Sequence, residues 1–294
     1  MVFNFFNKNK NKKKYTILLS SNCQTAALGE FLSFYLPDHE VICDPVSGPN
    51  NPNRFNGIKK YNNKIDLWIT SFYDYDSSIS SKLSKIKVLK IPIINFSGFH
   101  PDLAYATDCS NEKFTPNNYN SALTLFAYKK KISKKDLIKK FNSTFFNKLG
   151  YFDYFDPSII KLKQRFDNSD LNFNDFFISV RRKNIFMYTN NHPKPVVFHI
   201  LGDLILSKIG KTRDIEPNFQ INDYLNNDIF PLYPDIADSM FTNGSYFWKI
   251  NGKWIRSLND FIDYSFKEYD SFFTSRSNIL FFNESQFINI EEHF

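Results

Sequence analysis

The sequence predicts an α/β protein: a mostly parallel sheet with flanking helices, followed by a helix-rich middle and C-terminal region. Two observations carry that expectation. Over the first third of the chain, short continuous apolar runs alternate with segments of helical periodicity, as expected for strands buried on both faces and joined by helices. No uninterrupted apolar stretch of about 18 residues occurs, so the apolar material belongs to a core and not to a membrane-spanning helix. The chain has 294 residues, 42% hydrophobic and 18% aromatic, enough for one large domain or two smaller ones. We read residues 15–294 as a single α/β domain with a helical subregion at about 121–183, preceded by a basic tail over residues 1–14.

The elements follow in order. "YTILLSS" reads as a buried parallel strand. Residues 23–36 follow with Ala26, Ala27, Leu28, Phe31, Leu32 and Tyr35 at helical spacing. "HEVICDPV" is a second strand, and "SGPNNPNRFNGIKKYNNK" reads as a long loop because it is rich in Pro, Gly and Asn. "IDLWITS" is a third strand, a Ser/Lys-rich helix is expected near 77–85, and "IKVLKIPIINF" is a fourth strand. The middle is helical: "SALTLFAYKKK", then "KKDLIKKFNSTFFNKLG" as one helix with Leu137, Phe141, Phe145 and Leu149 every four residues and Gly150 as its stop. "DPSIIKLKQRF" opens with Asp and Pro, and a further helix at about 174–183 ends in Arg181, Arg182 and Lys183. "NIFMYT" reads as a strand, "NNHPK" as a turn, and Pro195 opens a helix that stops at Gly210. The remainder is Pro-punctuated and then helical around "SLNDFIDYSFKEYDSFF".

Charge and cysteine content narrow the function classes. The formal net charge is +7, but "KNKNKKK" at 8–14 holds five lysines, and the rest carries 32 basic against 30 acidic residues. The tail therefore reads as a disordered solubilising arm, and a nucleic-acid-binding role is not expected of the body. Three widely spaced cysteines, Cys23, Cys43 and Cys109, form neither a disulfide framework nor a zinc pattern, so no metal is expected and a reducing cytoplasm is the default. No secretory signal is visible, since the apolar residues of "MVFNFF" precede the lysines.

In open parallel sheets ligands bind beyond the carboxyl ends of the strands. The residues expected there are "SNCQ", "TSFYD" and "SGFHPD". Cys23 opens a helix, where free N–H groups lower a thiol pKa from about 8.5 toward 7 and offer an oxyanion hole. From position alone it is equally a small buried residue. His100, with Gly98 permitting a sharp turn and Pro101 holding the exit, is a candidate general base. Asp102 either orients it or caps a following helix. His192, at a strand-to-helix junction with Lys194 two residues on, is a candidate anion contact or acid/base group. Arg181 and Arg182 either complement a helix C-terminus or bind phosphate. There is no GxGxxG, Walker A or GxSxG motif.

Taken together, "SNCQTAAL", "FSGFHPDLAYA" and "YTNNHPKPVVFHILGDLIL" resemble the WcbI-type family of polysaccharide biosynthesis enzymes, over roughly residues 15–270. The resemblance implies binding of coenzyme A, with acetyl-CoA as co-substrate, and O-acetylation of a sugar in a capsular or surface polysaccharide precursor. By motif it carries over Asn22, Cys23 and Gln24, then Gly98, His100, Pro101 and Asp102, then Asn191, His192 and Pro193. Joining the resemblance with the positional reading, we take Cys23, His100, Asp102 and His192 as candidates for catalysis, and Ser21, Asn22, Gln24, Asn191, Lys194, Arg181 and Arg182 as candidates for cofactor binding. One departure stands out: the signature glycine before Asn is Ser21 here, which narrows the space that a glycine would leave or offers a hydroxyl of its own. Two schemes fit, a covalent acyl-Cys23 intermediate or direct transfer with His100 or His192 as base. The rival readings are an SGNH-like esterase or deacetylase, whose Gly-Asp-Ser and late Asp-x-x-His are absent, and a non-catalytic glycan-binding protein.

Overall fold

The computed structural model describes residues 14–46, 51–72, 74, 79, 83, 86–110, 113–114, 119–212 and 220–294. The basic tail, apart from Lys14, and most of the helix expected near 77–85 lie outside them. The chain divides into two compact units: one of Met1–Asn95, Ile160–Met187 and His192–Leu225, the other of Phe96–Ile159, Tyr188–Asn191 and Asn226–Phe294.

The first unit is built on four parallel strands, β1 (Thr16–Ser21), β2 (Glu40–Pro45), β3 (Leu67–Thr70) and β4 (Lys87–Lys90), in the order β2-β1-β3-β4. Leu18 pairs with Ile42 on one side and Trp68 on the other, so β1 is interior and fully buried along "ILL". Side chains alternate between faces. Leu18 and Trp68 meet Val46, Phe55, Ile58, Ile65 and Phe72 in one apolar cluster. Leu19 and Cys43 face helix α1 (Thr25–Tyr35), where Gly29 lets the helix approach: a Cβ there would lie 2.2 Å from Cys43 Sγ. The Asn56–Tyr61 helix interrupts the segment expected to be a long loop. Its Ile58 is fully buried, so tertiary packing overrides the local Pro/Asn bias.

Helix α1 packs against the Pro195–Lys208 helix, again through a glycine. A Cβ on Gly202 would fall 2.3 Å from the ring of Phe31, which is fully buried. Gly202→Ala is therefore expected to destabilise the protein by about 1–3 kcal/mol, through displacement of that ring. Urea unfolding of the two forms checks this.

The second unit is helical with small antiparallel sheets. Its main helices are Ala122–Lys129, Leu258–Phe272 and Glu284–His293. Short strands pair as Leu103–Ala104 with Asn120–Ser121, and as Ile279–Phe281 with Ala106–Asp108 and then Lys113–Phe114. Asp108 accepts hydrogen bonds from the N–H and hydroxyl groups of both Ser110 and Thr274, which hold its carboxyl down at about 2. The helix expected across "KKDLIKKFNSTFFNKLG" is two, Lys134–Ile138 and Ser143–Lys148. Asn142 divides them: its backbone is extended and its side chain accepts from Phe145 N–H as a cap. The four-residue apolar spacing still holds, since Leu137, Phe141, Phe145 and Leu149 are all buried. Gly150 ends the run in the left-handed conformation at φ 70°.

Candidate functional site

In the first unit the strand order reverses between β1 and β3, because the chain leaves β1 for β2 on one side and returns to β3 on the other. The crevice at such a switch point is where open α/β sheets hold ligands. Ser21 ends β1 there, and its hydroxyl shares a 2.9 Å hydrogen bond with that of Ser71, just past β3. Ser71 was visible only as part of "TSFYD"; that it partners Ser21 follows from the strand order.

The turn after β1 is fixed by its own polar groups. Asn22 accepts from Gln24 N–H through Oδ1 and from the N–H and hydroxyl of Thr25 through its carbonyl. Gln24 is buried, and its amide pairs with the Ile94 peptide: Nε2 donates to Ile94 O at 2.8 Å and Oε1 accepts from Ile94 N–H at 3.1 Å. Gln24 thus ties the turn to the chain beyond β4. Between these two residues Cys23 is exposed, at a turn just ahead of α1. Its thiol pKa moves opposite to the expectation for a helix start: surrounding protein atoms push it up, and a backbone hydrogen bond offsets only part of that. Desolvation outweighs the partial charge of the helix terminus.

The same unit carries His192, Pro193 and Lys194. Met187 and Pro193 form a single bridge, and Lys194 N–H donates to Phe186 O, closing a tight loop where a strand over "NIFMYT" was expected. Lys194 is the N-cap of the Pro195–Lys208 helix, with Pro195 at the first helical position as the sequence indicated. Burial lowers the Lys194 ammonium pKa, against the opposing charge of Asp223. Arg181 and Arg182 are exposed at the end of the Phe173–Arg181 helix. A cavity of about 610 Å³ is lined by Lys183, Pro195, His199, Asp203, Gln220 and Asp223 among others.

The second unit holds His100, Asp102 and Asn191. His100 is buried, and its Nε2 lies 2.9 Å from the carbonyl oxygen of Phe230. A carbonyl only accepts, so Nε2 carries the proton and Nδ1 is the nitrogen able to take one. Gly98 serves close approach and not a left-handed turn: a Cβ would lie 2.7 Å from the Phe96 ring and 3.0 Å from Phe155 Cα. Asp102 is buried and accepts from Leu123 N–H, Tyr151 Oη–H and Tyr233 Oη–H, at 3.1, 2.9 and 2.7 Å. Its carbonyl also accepts from Ala122 N–H, so the residue clamps the start of the Ala122–Lys129 helix. Burial pushes its carboxyl up to about 6, with those hydrogen bonds pulling the other way. Asn191 Oδ1 accepts from Tyr119 Oη–H and Thr189 Oγ1–H, and Asn190 Oδ1 from Tyr105 Oη–H. The tyrosines that hold these asparagines were not singled out in the sequence; their spacing gives no local signal.

Among the described residues no group of three or more His, Cys, Asp or Glu is placed to hold a metal ion, and no helix is long and apolar enough to cross a membrane.

The family model of the polysaccharide biosynthesis enzyme WcbI matches residues 16–214. No curated protein matches. A solved structure of WcbI, described as a novel polysaccharide biosynthesis enzyme in native form without a disulfide bond between CoA and one of its cysteines, is similar at 16% identity and a TM-score of 0.69. The likeness covers 95% of this chain and 96% of that one, and it shows a shared fold. With the family model matched over more than half of its length, this chain belongs to the WcbI family of polysaccharide biosynthesis enzymes.

Proposed function

We propose that the chain is a cytoplasmic acyltransferase that moves an acetyl group from acetyl-CoA to a hydroxyl of a sugar in a polysaccharide precursor. The observation that carries this reading is the place of Cys23: a solvent-exposed cysteine with a partly desolvated thiol, beyond the carboxyl end of β1, beside the β1/β3 switch point and ahead of α1. Family membership supports a role in polysaccharide biosynthesis. The WcbI relative is described as a native form without a disulfide bond between CoA and one of its cysteines, and that mention of CoA beside a cysteine supports CoA as the acyl carrier here, with Cys23 facing its sulfur.

In this reading His100 Nδ1 takes the proton of the acceptor hydroxyl as its oxygen attacks the thioester carbonyl, and His192 is the second acid/base candidate. The backbone N–H groups at the start of α1 stabilise the oxyanion. The carbon–sulfur bond then breaks, the sugar keeps the acetyl group, and the CoA thiolate regains a proton. Asn22, Asn191, Lys194, Arg181 and Arg182 hold the carrier. Ser21 and Gln24 act through the shape of the turn, since their side chains bond Ser71 and Ile94. Asp102 acts through the chain segment that carries His100. The raised thiol pKa keeps Cys23 protonated near neutral pH, which favours direct transfer over an acyl-cysteine intermediate.

Rapid quenching of the enzyme with acetyl-CoA alone tests the route. Direct transfer predicts no burst of CoA, and turnover of Cys23→Ser within about ten-fold of the parent. A burst approaching one equivalent, lost in Cys23→Ser, would establish the covalent route instead.

A further inference from the structure

The hairpin of Trp248–Ile250 and Lys253–Ile255 lies in the second unit, far in sequence from every motif above. Its turn is Asn251-Gly252, with φ 50° and 78°, the backbone that Asn-Gly adopts in a two-residue hairpin. A third segment joins it, because Ile229 and Lys249 exchange both backbone hydrogen bonds. Trp248, Ile250 and Ile255 point inward and are buried, with Trp248 stacked on Phe261 at 4.0 Å. Alternation therefore sends Phe247, Lys249, Trp254 and Arg256 to the opposite face.

That outer face has a definite composition. Trp254 is opposite Lys249, which is opposite Ile229, giving one row across three segments. Phe247 and Arg256 flank the two strands, one residue before the first and one after the second, on the side that alternation assigns to Lys249 and Trp254. Phe247 is 53% and Trp254 56% exposed, so both rings are open to a ligand on this side of the hairpin. Lys249 Nζ lies 5.9 Å from the Trp254 ring centroid, and Arg256 is exposed and makes no ion pair among the described residues. The acids close in sequence are engaged: Asp228 accepts from Asn251 N–H, and Asp260 from the Ser257 hydroxyl.

We propose that this face is a binding platform for an anionic glycan chain, distinct from the residues assigned to acyl transfer. Aromatic rings stack on the C–H faces of sugar rings, and the flanking lysine and arginine supply the charge complement of uronate or phosphate groups. Two rings alternating with two cations fit a ribbon-like polymer better than a bilayer, which rewards a continuous apolar face. The inference rests on the acceptor being a glycan, as proposed above, and makes that acceptor an acidic polymer gripped by residues other than those assigned to the reaction.

Trp254 provides the readout, since Trp68 and Trp248, the other two tryptophans, are fully buried. Titration with polygalacturonate oligosaccharides is expected to shift the exposed tryptophan emission and shield it from iodide, with neutral dextran binding at least about ten-fold more weakly. Phe247→Ala and the Lys249→Glu/Arg256→Glu double variant are each expected to weaken binding by about ten-fold or more, whereas Phe241→Ser, which removes a 99% exposed ring outside the hairpin, leaves it unchanged. Equal binding of neutral and anionic chains, binding indifferent to these substitutions, or capture only by phosphatidylglycerol vesicles would each overturn the proposal. CoA titration of the same samples separates the cases: CoA binding without glycan binding removes this inference alone, and loss of both removes the acyltransferase reading with it.

Discussion

Replacing His100 by alanine is expected to lower the rate of acetyl transfer by about 10²–10⁴-fold, the usual contribution of a positioned general base. Because Nε2 is committed to the Phe230 carbonyl, a proton taken up by His100 would go to Nδ1. The variant that separates chemistry from packing is His100→Gln, whose terminal amide can still donate to that carbonyl but has no basic nitrogen. It is expected to unfold near the parent's midpoint and to lose the same activity as the alanine form. Activity within a few-fold of the parent in His100→Gln would assign the histidine to packing alone.

The second large effect is on stability. Asp102→Ala is expected to cost about 3–5 kcal/mol, because it leaves the Tyr151 and Tyr233 hydroxyls and the Leu123 N–H buried without their acceptor. Asp102→Asn keeps an acceptor for two of those donors and should cost far less. The pH dependence has a defined sign. The folded-state value of about 6 lies above the ordinary carboxylate value, so the folded form binds the proton more tightly than the unfolded one. Asp102 therefore contributes most to stability below about pH 4, and that contribution falls as pH rises through 6, by on the order of 3 kcal/mol in all. Urea midpoints of the parent and of Asp102→Asn between pH 4 and 7 check it: the parent should show the extra decline and the amide should not. Since Asp102→Asn is expected to fold, its turnover also reads whether the carboxylate matters to His100 beyond clamping the Ala122–Lys129 helix.

Much of the first unit was legible because buried parallel strands must be apolar on both faces. "YTILLSS", "HEVICDPV", "IDLWITS" and "IKVLKIP" each contain a strand, and Pro195 opens its helix as the sequence indicates. What the sequence could not carry is long-range pairing. "NIFMYT" has the composition of a strand, yet its carbonyls accept from Phe230 N–H, which is distant in the chain, and from Lys194 N–H, in the loop that follows, and it forms a single bridge. The helix interrupted at Asn142 had its break written locally, as an asparagine followed by serine. The hairpin also had its signal, Asn251-Gly252 between two short alternating runs, which the surrounding prolines and aromatics obscured.

The candidate site divides in the same way. Cys23, His100 and His192 stand out as chemistry at junctions, which residue type and turn chemistry suffice to mark. Their environments depend on partners 70 to 130 residues away, such as Ile94 for Gln24 and Phe230 for His100. That is why the direction of the Cys23 pKa was misjudged: the helix start is local and visible, whereas the packing that desolvates the thiol is not.

Isothermal titration of the full chain with CoA tests the central claim most directly. A chain whose Cys23 turn faces the carrier should bind CoA with micromolar affinity, and Cys23→Trp, which puts a bulky ring at that exposed turn, should weaken binding by at least about ten-fold. Absence of heat at millimolar CoA, with the protein shown to be folded, would contradict it.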